Sequence, residues 1–139
     1  MERRGTILLV EDEAILRRLV AEYLRIERFV VVEAADGQEA IERYDDSGPF
    51  DVVLCDLNLP RRSGVEVSRW IKARCPSQGL IICSAAVQGE AEGMLRSVGV
   101  DRFLSKPFLP SELVRQVGAE TSASRGRVAR GIAGDLRLN

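Results

Sequence analysis

Five short apolar runs, each followed within a few residues by a stretch of helical period, constrain this chain more than any other feature of it. The runs lie at residues 7–10, 29–32, 52–55, 80–83 and 103–104. The clearest helical stretch follows the first run. There Ile15, Leu16, Leu19, Val20, Tyr23 and Leu24 recur at steps of three and four and form one face. Weaker helical segments are predicted over residues 38–44, 65–74, 90–98 and 111–117. The first, third and fourth runs lack in/out alternation, as strands covered on both faces should. Five such βα units with short connections predict an α/β fold, with a parallel sheet between two layers of helices. The smallest doubly wound, flavodoxin-like sheet of five strands has the order 2-1-3-4-5 and binds ligands beyond the carboxyl ends of its strands. That order belongs to the fold class; the pattern by itself does not dictate it.

The chain has 139 residues, 45% of them hydrophobic, enough for one domain with a full core. The apolar pattern stops after Val117, which predicts a domain over residues 1–119 and a Ser-, Gly- and Arg-rich tail over residues 120–139. The tail's composition predicts disorder. Val128, Ile132 and Leu136 step by four and allow a short helix instead, which Gly131 and Gly134 oppose. Twenty residues are too few for a helix-turn-helix unit, and a net charge of −1 gives no general pull toward nucleic acid or membrane, so neither is expected as a direct partner. The opening "MERRGTILLVEDE" does not have a signal peptide's pattern, and no stretch approaches a membrane span. Three cysteines without framework spacing fit a reduced, cytoplasmic protein. Cys55 and Cys83 read as small buried hydrophobes. The chain has no histidine, which excludes histidine-based metal sites, Ser-His-Asp triads and imidazole acid–base catalysis. Against 18 arginines stand two lysines, Lys72 and Lys106, so one lysine position is a candidate for a task that needs a compact ammonium.

The residues at the carboxyl ends of the predicted strands are Glu11, Asp12 and Glu13 after the first, Asp56 after the third, Ser84 after the fourth, and Lys106 with Pro107 after the fifth. In the order 2-1-3-4-5 these share one rim. Glu11, Asp12 and Asp56 repel one another there, and such a cluster raises its own pKa values or recruits a cation. Oxygen donors without histidine or thiolate suit Mg2+. A cation, an ammonium and a hydroxyl around one aspartate make a site for a phosphoryl group. Each residue also has an ordinary reading. Acids before a helix serve its dipole, worth about 0.3–1 kcal/mol. Aspartate and serine end strands and make turns, and a lysine is usually solvated. Their shared position at one end of successive strands favours the site.

The stretches "ILLVEDE" (7–13), "DVVLCDLNLP" (51–60) with Gly64, "IICSAA" (81–86) and "FLSKPF" (103–108) occur in this order along the chain. Through them the chain resembles a response-regulator receiver domain of two-component signalling, chemotaxis-receiver-like, over about residues 5–119. The resemblance implies that Asp56 is the phosphoacceptor. It implies that Asp12 and Asp56 bind Mg2+ directly, Glu11 through water, and the backbone carbonyl of Asn58 as a further ligand. Ser84 and Lys106 would contact the phosphoryl oxygens, and Phe103 would be the rotameric switch. Pro60, Gly64 and Pro107 would shape the loops, Pro107 through a cis peptide bond. A sensor histidine kinase or histidine phosphotransfer protein would be the donor. A downstream protein would be the target, bound at the face of the fourth helix, fifth strand and fifth helix, which would also serve a homodimer. The expected role is a stand-alone phosphoprotein switch, an enzyme only toward its own aspartyl phosphate.

The chain departs from the family pattern in places. Arg61, Arg62 and Ser63 stand where a methionine and an acid are usual, and read either as a solvated basic loop or as a lure for an anionic partner near Asp56. Leu109 stands where a helix cap is expected, so the last helix should start weakly. Phe103 lacks the tyrosine hydroxyl that rewards an exposed rotamer, which leaves a permanently buried ring as the other reading. Two further functions compete. A Mg2+-dependent phosphatase with an aspartyl nucleophile would want a second acid where Asn58 stands. A phosphorylation-independent scaffold would not need the intact set of acids, Ser84 and Lys106.

Overall fold

The computed structural model describes residues 2–85 and 89–138, with side chains to residue 127. Ten elements alternate along it: β1 (Gly5–Val10), α1 (Ala14–Ile26), β2 (Phe29–Ala34), α2 (Gly37–Ser47), β3 (Val52–Asp56), α3 (Gly64–Arg74), β4 (Leu80–Ser84), α4 (Glu90–Ser97), β5 (Arg102–Ser105) and α5 (Pro110–Leu138). The strands form one parallel sheet in the order β2-β1-β3-β4-β5, as expected.

The two-residue period of the strands divides the core. Ile7, Leu9, Leu54, Ile81 and Leu104 turn toward α1 and α5, where they meet Val20, Leu24, Leu113 and Val117. Leu8, Val10, Val53 and Ile82 turn the other way, toward Tyr44, Val67, Ile71 and Leu95 of α2, α3 and α4. Both faces of the central strands are covered, which is why their sequences do not alternate. Each such side chain contributes about 1.5–3 kcal/mol on burial. The same period puts Cys55 and Cys83 in different core clusters, on opposite faces of neighbouring strands. Burial pushes both thiols up, so they are inert apolar fillers.

Two helices go beyond what the sequence pattern showed. The apolar stripe on α1 is wider than the sheet face that receives it. Val20, Ala21 and Leu24 are buried, but Ile15 and Leu19 remain 73% and 59% exposed. The last helix also differs, at both ends. It begins at Pro110, where the ring's fixed φ suits the first helical position and offsets the missing side-chain cap at Leu109. It then continues through residues 120–138, for which the sequence left disorder and a short helix both open. Residues 120–127 are held by ionic contacts, which leave no hydrophobic period to read. Glu120 is 4% exposed and accepts from Arg102 Nε at 2.6 Å and from Arg127 Nη2 at 2.6 Å. Arg125 donates to Asp51 Oδ1 at 3.1 Å and to the Arg4 carbonyl at 3.0 Å, and Arg127 Nε to the Ser77 carbonyl at 3.2 Å. The side chains of Val128, Ile132 and Leu136 lie outside the described residues.

Glu120 also explains Gly79. A Cβ there would lie 2.8 Å from Glu120 Oε1 and 3.1 Å from the Asp51 carbonyl. The carboxylate is pinned by two arginines and cannot swing aside. Glu120→Ala leaves both guanidiniums without their acid, and because each keeps about a third of its surface in solvent (33% and 32%), the cost is partly screened. We expect a loss of about 1–3 kcal/mol, read as a lower urea midpoint at unchanged m-value. Gly79→Ala should move the midpoint in the same direction.

Candidate functional site

The rim is set by backbone bonds that run one residue past the strand tips. The Glu11 N–H donates to the Ala34 carbonyl at 3.1 Å, Leu57 N–H to Cys83 at 3.1 Å, and Lys106 N–H to Ser84 at 3.0 Å. Each residue that leaves the sheet is thereby fixed against its neighbouring strand. Asp56 and Ser84 pair in register with Cys83 and Ser105, respectively.

This register gathers the charged side chains. One carboxylate oxygen each from Glu11, Asp12 and Asp56 lies within 4.8 Å of the others. Glu11 and Asp56 are 5% and 9% exposed, whereas Asp12 is open to solvent. Lys106 Nζ reaches Glu11 Oε1 at 2.5 Å and Asp56 Oδ2 at 3.2 Å. The other Glu11 oxygen accepts from the Glu13 N–H at 3.2 Å. Burial on its own would lower the Lys106 pKa. The hydrogen bond to Glu11 and the charges of Asp56 and Glu11 outweigh it and raise the pKa above the usual lysine value. The ammonium therefore stays charged at neutral pH. Three carboxylates against one ammonium leave a negative excess on an all-oxygen donor set, which is suited to a hard divalent cation such as Mg2+.

The loop between β3 and α3 closes one side. A Cβ on Gly64 would sit 2.5 Å from the Asp56 carbonyl oxygen and 2.8 Å from Leu57 Cα, both backbone atoms. Only glycine lets α3 start so close to the peptide of Asp56. Ser63 caps that helix by accepting the Glu66 N–H at 3.2 Å. The two arginines have a third role that neither sequence reading foresaw. Arg61 pairs with Asp36 at 3.1 Å, and Asp36 also caps α2 by accepting the Glu39 N–H at 2.8 Å. Arg62 Nε donates to Gln38 Oε1 at 2.8 Å. The Gly37 N–H donates to the Pro60 carbonyl at 3.3 Å, and a side chain at Gly37 would run into the Arg62 carbonyl. Arg61 and Arg62 thus strap the loop to the start of α2. Asp36 and Gln38 were missed as their partners. The Asp-x-x-Glu pattern at 36–39 marks the cap of α2, but no local pattern shows that an arginine 25 residues later would return to it.

The family model for the response regulator receiver domain matches residues 7–118. The chain belongs to this family. It is 34% identical over 131 residues to the transcriptional regulatory protein PdtaR of Mycobacterium tuberculosis, covering 94% of this chain and 62% of that protein. It is 35% identical over 121 residues to the phosphate regulon regulator PhoB of Escherichia coli, covering 86% and 52%. A cyclic di-GMP phosphodiesterase of Thermotoga maritima is 37% identical over 123 residues, 88% of this chain but 32% of that protein. The chain thus spans between a third and two thirds of the length of these relatives. Among solved structures, the chemotaxis protein CheY4 of Vibrio cholerae aligns with TM-score 0.76 at 26% identity, over 81% of this chain and 95% of that one. A receiver domain protein from Methanospirillum hungatei aligns with TM-score 0.83 at 21% identity, over 88% and 97%, a likeness of fold.

In this receiver, Glu11, Asp12, Asp56 and Lys106 converge as the strand-end reading required. Ser84 is buried at the tip of β4, 4% exposed. Phe103 lies on the same face of the neighbouring strand, half-buried. Asn58 and Pro60 are exposed in the turn beyond β3, and the Lys106–Pro107 peptide is cis. Ala86, at the end of the third matching stretch, lies outside the described residues.

Two outcomes follow from this geometry. Gly64→Ala must displace backbone at Asp56, so the thermal midpoint should fall, and any Mg2+ held at the three acids should bind about tenfold more weakly by titration. The Asp36 pKa is held below 3.8, first by the Glu39 N–H and then by Arg61. Its contribution to stability is therefore complete above about pH 4 and lost as pH falls through the lower folded value. Urea unfolding between pH 6 and 2.5 should show that loss, and Arg61→Ala should reduce its size.

Proposed function

We propose that this receiver is a phosphoacceptor switch in which Asp56 takes a phosphoryl group from a histidine on a partner protein. The observation that carries this reading is Lys106 Nζ lying between Glu11 and Asp56, at 2.5 and 3.2 Å, beside a third acid. The chain has no histidine, so the donor is another molecule, a sensor kinase or a phosphotransfer protein.

An Asp56 carboxylate oxygen attacks phosphorus in line. The O–P bond forms as the N–P bond breaks, and the electron pair leaves with the imidazole, which takes up a proton. Lys106 shifts its ammonium from Asp56 to the equatorial phosphoryl oxygens and neutralises charge as it develops. The Ser84 hydroxyl donates to another of those oxygens. Asp12, Asp56 and the Asn58 carbonyl, with Glu11 through water, would hold Mg2+, which supplies further charge neutralisation when bound. Asn58 cannot act as acid or base, which disfavours the phosphatase reading. The acyl phosphate ends by hydrolysis.

The uncovered stripe on α1 supports a protein donor. Leu16, Leu19, Tyr23, Phe108 and Leu113 line a shallow apolar groove. Leu16 and Phe108 also line the small space beside Glu11, Asp56 and Lys106, so the groove adjoins the site. The output surface is the face of α4, β5 and α5, where a downstream protein or a second copy would bind. The signalling unit is residues 1–119, with the first part of the segment 120–139 docked against it. Its place is the cytoplasm. Among the described residues no helix is long and apolar enough to cross a membrane.

Acetyl phosphate with Mg2+ should add the mass of one phosphoryl group. Asp56→Asn should abolish the addition, EDTA should suppress it, and Lys106→Ala should slow it at least tenfold. Label that persists in Asp56→Asn would end this reading. Release of many equivalents of phosphate from a generic ester, lost in Asp56→Asn, would favour the phosphatase. A partner that binds equally with and without beryllofluoride would favour the scaffold.

A further inference from the structure

We infer that Arg96, held in place by Glu92, is a positioning residue for Phe103 and sets how readily this receiver passes into its phosphorylated conformation. The inference rests on the phosphoacceptor reading above and concerns what opposes the switch.

Phe103 raises a specific physical problem. Its ring is half-buried and packs against the cluster that contains Ile82, Leu95 and Val100. A phenylalanine has no hydroxyl that would gain a hydrogen bond by staying at the surface. Hydrophobic burial alone would draw the ring inward whenever room exists, phosphoryl group or not. A switch built on such a ring needs a force that holds it at the surface.

Arg96 supplies that force. Its guanidinium carbon lies 5.0 Å from the centroid of the Phe103 ring, within cation–π range. The guanidinium is itself fixed. Both Nε and Nη2 donate to Glu92 Oε1, at 3.1 and 3.0 Å, from one turn earlier on α4. A carboxylate on α4 thus orients a cation on α4 over a ring on β5.

The same ring stands on the face of the sheet that carries Ser84. Phe103 pairs in register with Ile82 and Ser105 with Ser84, so Phe103 and Ser84 sit on one face of adjacent strands, two residues apart along the sheet. When Ser84 moves toward a phosphoryl oxygen, the ring gains the space and leaves the guanidinium. The cation–π contact is then present in the resting form and absent from the phosphorylated form. A contact made in one of two states shifts their equilibrium by its own free energy. For a partly exposed cation–π pair that corresponds to about a two- to five-fold change in population.

The test measures two quantities on the full chain: the affinity for beryllofluoride in Mg2+, and the χ1 populations of an isotopically labelled Phe103 ring without ligand. Arg96→Ala should tighten beryllofluoride binding about two- to five-fold and raise the inward ring population. Arg96→Lys should restore most of the wild-type values, and Glu92→Gln should fall between. In a Phe103→Leu background Arg96→Ala should change nothing, a result that a merely structural role for Arg96 would not produce. Unchanged ring populations in Arg96→Ala, or an equal effect on affinity in Phe103→Leu, would overturn the inference. If the wild-type chain does not take beryllofluoride at all, the phosphoacceptor reading fails, and the ring populations still decide whether Arg96 positions Phe103.

Discussion

The contact on which the rest depends is the Lys106 ammonium between Glu11 and Asp56. It brings together residues 95 positions apart and spans the sheet from β1 to β5 across the tips of β3 and β4. Without a cation, Glu11 and Asp56 would be two nearly buried carboxylates with a third beside them, like charges held together largely out of water. Lys106 offsets part of that repulsion and leaves a negative excess. That excess suits the rim to a divalent ion, and it keeps the ammonium charged.

The fold positions that contact with little waste. Parallel strands deliver all their carboxyl ends to one edge, so residues on four strands meet without any long loop. The remaining adjustments are local. Gly64 lets α3 begin against the Asp56 peptide, and the strap from Arg61 and Arg62 to the start of α2 fixes the loop that carries Asn58. At the opposite end of the sheet, Glu120 with Arg102 and Arg127 does comparable work and joins the extended α5 to the start of β5. Arg102 and Phe103 are consecutive, so that clamp and the ring beneath Arg96 share one strand.

Much of this was legible in the chain, for identifiable reasons. Strands buried on both faces write themselves as unbroken apolar runs, and residues 7–10, 52–55 and 80–83 do so. Asp56 and Lys106 stood out because they share one end of successive strands with Glu11, Asp12 and Ser84, although each alone has an ordinary reading. Other residues were illegible. Gln78 is 1% exposed and receives hydrogen bonds from the Tyr44 hydroxyl at 2.8 Å and the Phe50 N–H at 3.0 Å. Its amide also donates to the Phe50 carbonyl at 2.7 Å. A glutamine beside a serine and a glycine carries no sign that it is a fully satisfied core residue. Residues 120–127 were ambiguous for a related reason. Their anchors are charges with partners in distant elements, and a polar composition looks the same whether the charges are paired or solvated.

The sequence by itself determined the alternation of elements, the family, and the identities of the acids, hydroxyl and lysine that the strand ends would carry. These depend on local periodicity and on residue chemistry, which a linear chain displays directly. The tertiary structure alone decided what the long cationic side chains do. Arg61 and Arg62 became a strap, Arg102, Arg125 and Arg127 the dock for α5, and Arg96 the cover on Phe103. An arginine is soluble anywhere on a surface and reaches far from its backbone. Its role depends on which acid or ring the fold brings within reach, and only the folded chain sets that distance.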